Sequence, residues 1–466
     1  FISSTIIVAI TKYSSVIIGL IIIAVLSRLL TPDDFGIITI ISVLAVFFNL
    51  IGELGIGVAI IQKKELTKGD INVIFSFTVV VGLMLAFLFF ILAPLIASFY
   101  DKPVLVNICR LFSINIFCAC CNIVPNGLIL KDKNFKFLMF RQFIIQPISG
   151  ALAIIAALAG WGVYALLMQL IAGSVLMFLT NYFRQPLKLV CIAAQPLKKI
   201  ASYSLYQFLF GFVNYFARNL DKLLIGKYIS PAALGYYEKS YRLMTLPIDT
   251  LTSVISPVIQ PYFSDFQEDK ERIYRYYLKI IHLLALIGFP LSVFLHFAAK
   301  ELILIVFGEQ WTAAIPIFEI LAWSSGIQII LSSTGAIFQA ANDTKRLFIA
   351  GVINALVLVG AICTGVFIYK SLNALAIVFV CALFFCFFQS YTTLIKITLK
   401  QSFIPFLKQL LLPLLFGLTV FILELAVVKW IEIDNLYMSL AVKMLVVTVI
   451  APPVMLRYYR YKNNNK

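Results

Sequence analysis

Arg218-Asn-Leu-Asp-Lys222 places two cations, an amide and a carboxylate within a little over one helical turn of an otherwise apolar run. Arg218 and Lys222 are four residues apart, so a helix puts them on one face. A charge near the bilayer centre costs at least about 2.5 kcal/mol on insertion scales, and such residues normally face a wet interior or a partner. Fixed cations there, with Asn219 beside them, could make charge-assisted hydrogen bonds to an anionic group. Asp221 would orient or release that group, or would simply neutralise its neighbours and fix helix packing.

Lys12, in the middle of the first apolar run, is the early counterpart of this cluster. It could snorkel to an interface, but its mid-run position favours a cavity-facing amine. Glu53, in Asn49-Leu-Ile-Gly-Glu-Leu-Gly-Ile-Gly57, is flanked by glycines that admit close approach. Burial there disfavours its charged form, which suits proton exchange, and pairing with Lys12 is the alternative. Arg141 and Gln142 open a later span and could meet an incoming anion, although a cytoplasmic anchoring role explains Arg141 equally well. Arg28 ends its span and is better read as satisfying the last carbonyls. Glu319 and Glu424 also lie within apolar runs but have no cation near in sequence.

No metal, cofactor or catalytic constellation emerges. His282 and His296 are separated along one helix by about 21 Å, too far to share an ion. Cys118-Ala-Cys-Cys121 contains a CxxC spacing without a second ligand pair, and reads as small apolar filler. No phosphate-cradling glycine loop is present, so any driving force is an ion gradient or the membrane potential.

The elements that must hold these residues are membrane helices. The chain has 466 residues, 62% hydrophobic and 12% charged, about half the charge of a soluble domain. Stretches such as 79–96 are continuously apolar, which excludes the alternation of an outer-membrane strand. About fourteen candidate spans follow, near 4–27, 35–61, 71–98, 104–129, 138–159, 162–182, 203–228, 235–262, 276–299, 312–341, 347–369, 372–395, 405–428 and 436–457. The sequence begins at Phe1 rather than Met, so further residues before it are expected. Its first run is long enough to span and reads as a helix, not a cleaved signal. The connections are short and leave no room for a soluble domain.

Lys and Arg total 37 against 21 Asp and Glu, a net charge of +16. Nucleic-acid binding is not implied, because most of these cations fall in the even-numbered connections and the C-terminus. Both termini are therefore expected in the cytoplasm. Eight cysteines, nearly all within apolar runs, imply no disulfide framework.

An internal repeat runs through the chain. Arg28-Leu-Leu-Thr-Pro-Asp-Asp-Phe-Gly36 matches Lys227-Tyr-Ile-Ser-Pro-Ala-Ala-Leu-Gly235 at the cation, the hydroxyl, the proline and the glycine. This reads as a helix stop, a Ser/Thr-Pro helix start and a glycine for close packing. Phe99-Tyr-Asp101 with Phe307-Gly-Glu309, and Lys131-Asp132 with Asn342-Asp343, follow in the same order. Two parallel six-span halves with two added spans are the expected layout: a six-helix bundle over 1–184, a cytoplasmic linker over 185–202, a second bundle over 203–400, and two helices with a basic tail over 401–466.

Ser27-Arg-Leu-Leu-Thr-Pro-Asp-Asp-Phe-Gly36, Arg218-Asn-Leu-Asp-Lys-Leu-Leu-Ile-Gly226 and Gly235-Tyr-Tyr-Glu-Lys-Ser-Tyr-Arg242 resemble signatures of the Wzx-type polysaccharide exporters. These are the colanic-acid and teichuronic-acid kind, in the multidrug/oligosaccharidyl-lipid/polysaccharide exporter superfamily. The resemblance covers nearly the whole chain. It implies an all-α membrane protein of about 14 transmembrane helices, two pseudo-repeated six-helix bundles plus two C-terminal helices around a central cavity. It also implies a transporter, not an enzyme, in the bacterial cytoplasmic (inner) membrane. Such a protein flips a polyprenyl-diphosphate-linked oligosaccharide, undecaprenyl-linked, by alternating access coupled to an ion gradient. Its partners would be membrane lipids and glycan polymerase machinery, with no nucleic acid. In that setting Lys12, Arg141, Arg218, Asn219 and Lys222 would meet the diphosphate or glycan, and Glu53 and Asp221 would couple or gate. A multidrug or organic-cation antiporter of the same superfamily would instead offer carboxylates and aromatics to its cargo. A membrane glycan polymerase or ligase would need a sizeable outer loop, which the short connections do not supply.

Overall fold

The structure is a computed structural model describing residues 2–63, 65–197, 212, 215–216, 219–264, 266–431 and 433–449, with side chains described from Tyr13 onward except at 135, 253–258, 260–261 and 264. It is all-helical, with no strand among the described residues. Apolar runs become helices because a chain in hydrocarbon must satisfy every backbone group within its own segment.

The first compact unit covers Phe1–Gly235. Its helices are α1 (Ile2–Leu29), α2 (Pro32–Glu53), α3 (Ile56–Gln62), α4 (Lys68–Tyr100), α5 (Val104–Lys131), α6 (Phe135–Leu158) and α7 (Val163–Arg184). An α8 is described over 219–228, and the unit ends in the first turn of α9 (Pro231–Ser264). Helix α5 is the hub, packing against α2, α3, α4 and α7, while α6 packs on α1 and α7. Ile56, Ala59, Ile60, Ile74, Phe75 and Val124 close one end of this core. The boundary at Gly235 places α8, the described end of the expected seventh span, in this unit.

The second unit covers Tyr236–Lys466. After the rest of α9 come α10 (Lys270–Phe297), α11 (Ala299–Phe307), a 3-10 turn (Glu309–Ala314), α12 (Ile315–Ala322), α13 (Ser325–Leu331) and α14 (Thr334–Ala340). Then follow α15 (Thr344–Cys363), α16 (Leu372–Thr392), α17 (Ile404–Trp430) and α18 (Leu436–Val449). Helix α10 packs against α12, α13 and α17, and α16 against α12, α13 and α15.

Nine described helices are long and apolar enough to cross a membrane, or ten with the bent pair Glu309–Ala322 and Ser325–Ala340 counted as one. The expected span 312–341 is thus not continuous: it bends by 47° between its two parts. The expected span 35–61 also breaks, because Leu54 and Gly55 both adopt left-handed conformations (φ 43 and φ 70) between α2 and α3. Gly55 takes that conformation without a Cβ penalty, which Leu54 must bear.

The repeated motif forms the expected helix starts. Thr31 is the N-cap of α2, accepting from Asp34 N while Asp34 accepts from Thr31 N, with Pro32 in the first turn. Ser230 accepts from Ala233 N ahead of Pro231 at the start of α9. One later repeat corresponds in backbone shape, in a shifted register. Lys133 and Asn342 both have φ 54, and each precedes a side-chain N-cap, Asn134 for α6 and Asp343 for α15. The true correspondence in the first copy therefore lies two residues beyond Lys131-Asp132.

Candidate functional site

Arg141 on α6 is half-buried, and its Nη1 donates to Asn126 Oδ1 on α5 at 3.1 Å and to Asn181 Oδ1 on α7 at 2.5 Å. Asn181 is fully buried and donates in turn to Asn122 Oδ1 at 2.6 Å. Asn122 and Asn126 are four apart on α5 and so present their amides on one face. Among the described residues Arg141 has no carboxylate partner, and its Nε is buried without a hydrogen bond. A guanidinium held only by neutral amides keeps its full positive charge and presents its remaining donors in a fixed plane.

A glutamine ladder continues along α6. Gln142 Nε2 donates to Gln146 Oε1 at 3.4 Å, and Gln146 Nε2 donates to Ser15 O on α1 at 2.8 Å. A Cβ placed on Gly19 would lie 3.0 Å from Gln146 Nε2, so α1 approaches α6 closely there. Lys12 is two turns earlier on α1; its side chain lies outside the described residues.

Arg218 also lies outside the described residues. Of its neighbours, Asn219 is half-buried and its Nδ2 donates to Tyr215 O at 2.9 Å, one turn back. Asp221 is buried, and its Oδ1 accepts from Lys222 N at 2.8 Å. Tyr215 donates from its hydroxyl to Val43 O on α2 at 3.1 Å. One amide donor of Asn219 is therefore engaged on its own helix, and Asp221 accepts from backbone.

Glu53 is the last residue of α2, and its side chain reaches the surface of the protein. The helix breaks after it, and the chain turns through two left-handed residues. Its side chain folds over the break, so that a Cβ on Gly57 would lie 3.2 Å from Glu53 Oε1. The carboxylate thus sits at the carbonyl end of a discontinuous helix, a geometry that attracts positive charge.

One ionic group was not legible as such in the sequence. Lys443 on α18 pairs with Glu301 on α11 at 2.6 Å, with both side chains buried. In sequence Glu424 has no cation near it, and Lys443 lies in the last apolar run, 436–457. The only local signal is Ser439 and Lys443, one turn apart on an apolar helix.

His282 Nδ1 meets Gln409 O at 2.9 Å and His296 Nδ1 meets Glu319 O at 3.0 Å. Both rings thus hold main chain. Cys120 packs against Gly52 and Gly82, the filler role its surroundings suggest.

A polytopic helical protein with fixed charges and amides inside its units is a multi-pass membrane protein, and its fold has solved counterparts. It resembles the lipid II flippase MurJ in its inward closed conformation with a TM-score of 0.74, at 15% identity over 97% of this chain and 98% of that one. It also resembles an inward-facing multidrug resistance MATE transporter of the MOP superfamily, with a TM-score of 0.60 at 16% identity over 91% of this chain and 100% of that one.

The chain belongs to the polysaccharide biosynthesis protein family, whose model matches residues 25–316. The teichuronic acid biosynthesis protein TuaB of Bacillus subtilis is 25% identical over 68% of this chain and 66% of its own length. The lipopolysaccharide biosynthesis protein WzxC of Escherichia coli is 22% identical over 88% of this chain and 84% of its own length. The succinoglycan biosynthesis transport protein ExoT of Rhizobium meliloti is 23% identical over 73% and 69%.

Proposed function

We propose that this protein is a transporter that flips a polyprenyl-diphosphate-linked oligosaccharide across the bacterial cytoplasmic membrane for surface polysaccharide export. In this reading the chain has fourteen spans, two six-helix bundles with two added helices around a central cavity, and both termini in the cytoplasm. Transport proceeds by alternating access coupled to an ion gradient. Glycan polymerase machinery would act on the product.

The observation that carries the reading is Arg141, a cation held inside the first unit by Asn126 and Asn181 with no carboxylate partner among the described residues. A carboxylate there would compete with an anionic cargo, whereas amides orient the guanidinium and leave its charge uncompensated. A diphosphate needs such replacement for its hydration shell. Lys12, Arg218 and Lys222, with Asn219, complete the proposed anion path, and Glu53 and Asp221 are its proposed coupling or gating carboxylates. The family relatives named for teichuronic acid, lipopolysaccharide and succinoglycan biosynthesis support the cargo class. The shared fold alone would serve a drug antiporter equally.

The test is cellular. A strain lacking the protein should accumulate lipid-linked repeat units that a membrane-impermeant glycan probe cannot reach until the cells are opened. Repeat units exposed on the outer leaflet of that strain would show that flipping is not its task.

A further inference from the structure

Three helices of the second unit bring three charges to one buried place. Glu301 opens α11, Glu424 lies in α17 and Lys443 in α18, with exposures of 4%, 0% and 5%. Lys443 Nζ donates to Glu301 Oε1 at 2.6 Å and to Phe297 O at 2.8 Å, and Ser439 Oγ donates to the same Glu301 oxygen at 2.7 Å. Glu301 Oε2 and both oxygens of Glu424 are buried with no hydrogen bond. Glu424 lies within electrostatic reach of both Lys443 and Glu301.

Two carboxylates and one ammonium leave one negative charge uncompensated, which is costly in a buried apolar place. One further positive charge would offset it. A metal cation asks for a shell of several oxygens, whereas Val420, one turn before Glu424, packs into a cluster of Leu286, Val293 and Phe416. A proton asks for one oxygen only.

We propose that Glu424 is an exchangeable proton site, facing the Lys443–Glu301 ion pair and separate from the residues proposed to meet the cargo. With the proton bound, Glu424 is a neutral acid and Lys443 serves Glu301 alone. When the O–H bond breaks and the proton leaves to water, Lys443 must divide its N–H groups between two carboxylates, which draws α18 toward α17. The other ionisable groups nearby are engaged elsewhere or exposed. On α10, His282 and His296 meet backbone carbonyls of Gln409 and Glu319; Glu319 itself is half-buried on α12, and Lys300 and Lys429 are exposed. As the ion-coupling element of transport, this site rests on the proposed function; as a proton site, it does not.

The test is modification of the full chain in lipid nanodiscs by dicyclohexylcarbodiimide, an apolar reagent for protonated carboxyls, mapped by peptide mass spectrometry. Glu424 should be modified at about pH 5 and lose at least tenfold of that reactivity by about pH 9, equally in sodium and choline chloride. E424Q should remove the adduct. E301Q, which frees Lys443 for Glu424, should lower modification several-fold. No adduct at Glu424, an adduct indifferent to pH, or protection by sodium would each overturn the proposal. Transport assayed in parallel separates the two readings. Flipping by E424Q that still follows an imposed proton gradient would remove the coupling role, whereas a wild-type protein that moves no lipid-linked glycan would defeat the proposed function and leave the labelling result standing.

Discussion

Gly36 and Gly235, the corresponding glycines of the repeated motif, pack reciprocally: a Cβ on Gly36 would fall onto the carbonyl of Pro231, and one on Gly235 onto the carbonyl of Pro32. The two copies of the motif therefore cross at their own helix starts. Without a hydrophobic driving force between helices in lipid, such close backbone approach is a main source of association.

Gly36→Ala and Gly235→Ala should each force backbone apart, at about 1–3 kcal/mol, the usual cost of overpacking. Thermal unfolding of the detergent-purified variants measures this. Gly173→Ala is the control, since a Cβ there meets nothing within 4 Å. A control that melts as early as Gly36→Ala would rule out the crossing as the cause.

Arg141→Gln should stop glycan export while leaving the protein at its normal membrane level, because Asn126 and Asn181 can bond an amide but the charge is gone. Arg141→Lys keeps a charge without the planar fork and should fall between, losing about 10-fold, the scale of one charge-assisted hydrogen bond. Export assayed against protein level distinguishes these outcomes from misfolding.

Arg218→Ala combined with Lys222→Ala should abolish export at unchanged protein level. Undiminished export in that double variant would remove both residues from the anion path.

Lys443→Met should be strongly destabilising, by about 3–5 kcal/mol, because it strands a buried carboxylate. Lys443→Met with Glu301→Met should recover part of that loss. Unfolding of the two variants in the same detergent gives the comparison, and equal losses would mean that the pair is not coupled.

Gly55→Ala, at φ 70 between α2 and α3, should cost about 1 kcal/mol from the left-handed backbone alone. If the break beside Glu53 serves gating, export should drop more than stability does, which paired transport and melting measurements read directly.

Much of the architecture was written locally. Long apolar runs, the position of Thr31 and Pro32 ahead of α2, and the recurrence of that pattern at Ser230 and Pro231 are properties of short segments, and each short segment carries its own helix start and membrane preference. The family resemblance rested on the same segments. The break at Leu54 and Gly55 was hidden because an apolar composition is compatible with a continuous helix or a kinked one.

Partnership was not written there. That Gly36 meets Pro231, that Asn126 and Asn181 hold Arg141, and that Glu301, Glu424 and Lys443 share one buried place could be decided only by packing. Helical periodicity fixes which residues share a face but not which distant face it meets, and Glu301 and Lys443 are 142 residues apart. Lys443 and Glu301 look isolated along the chain and are paired by the tertiary structure, because low-dielectric surroundings make an unpaired ion costly.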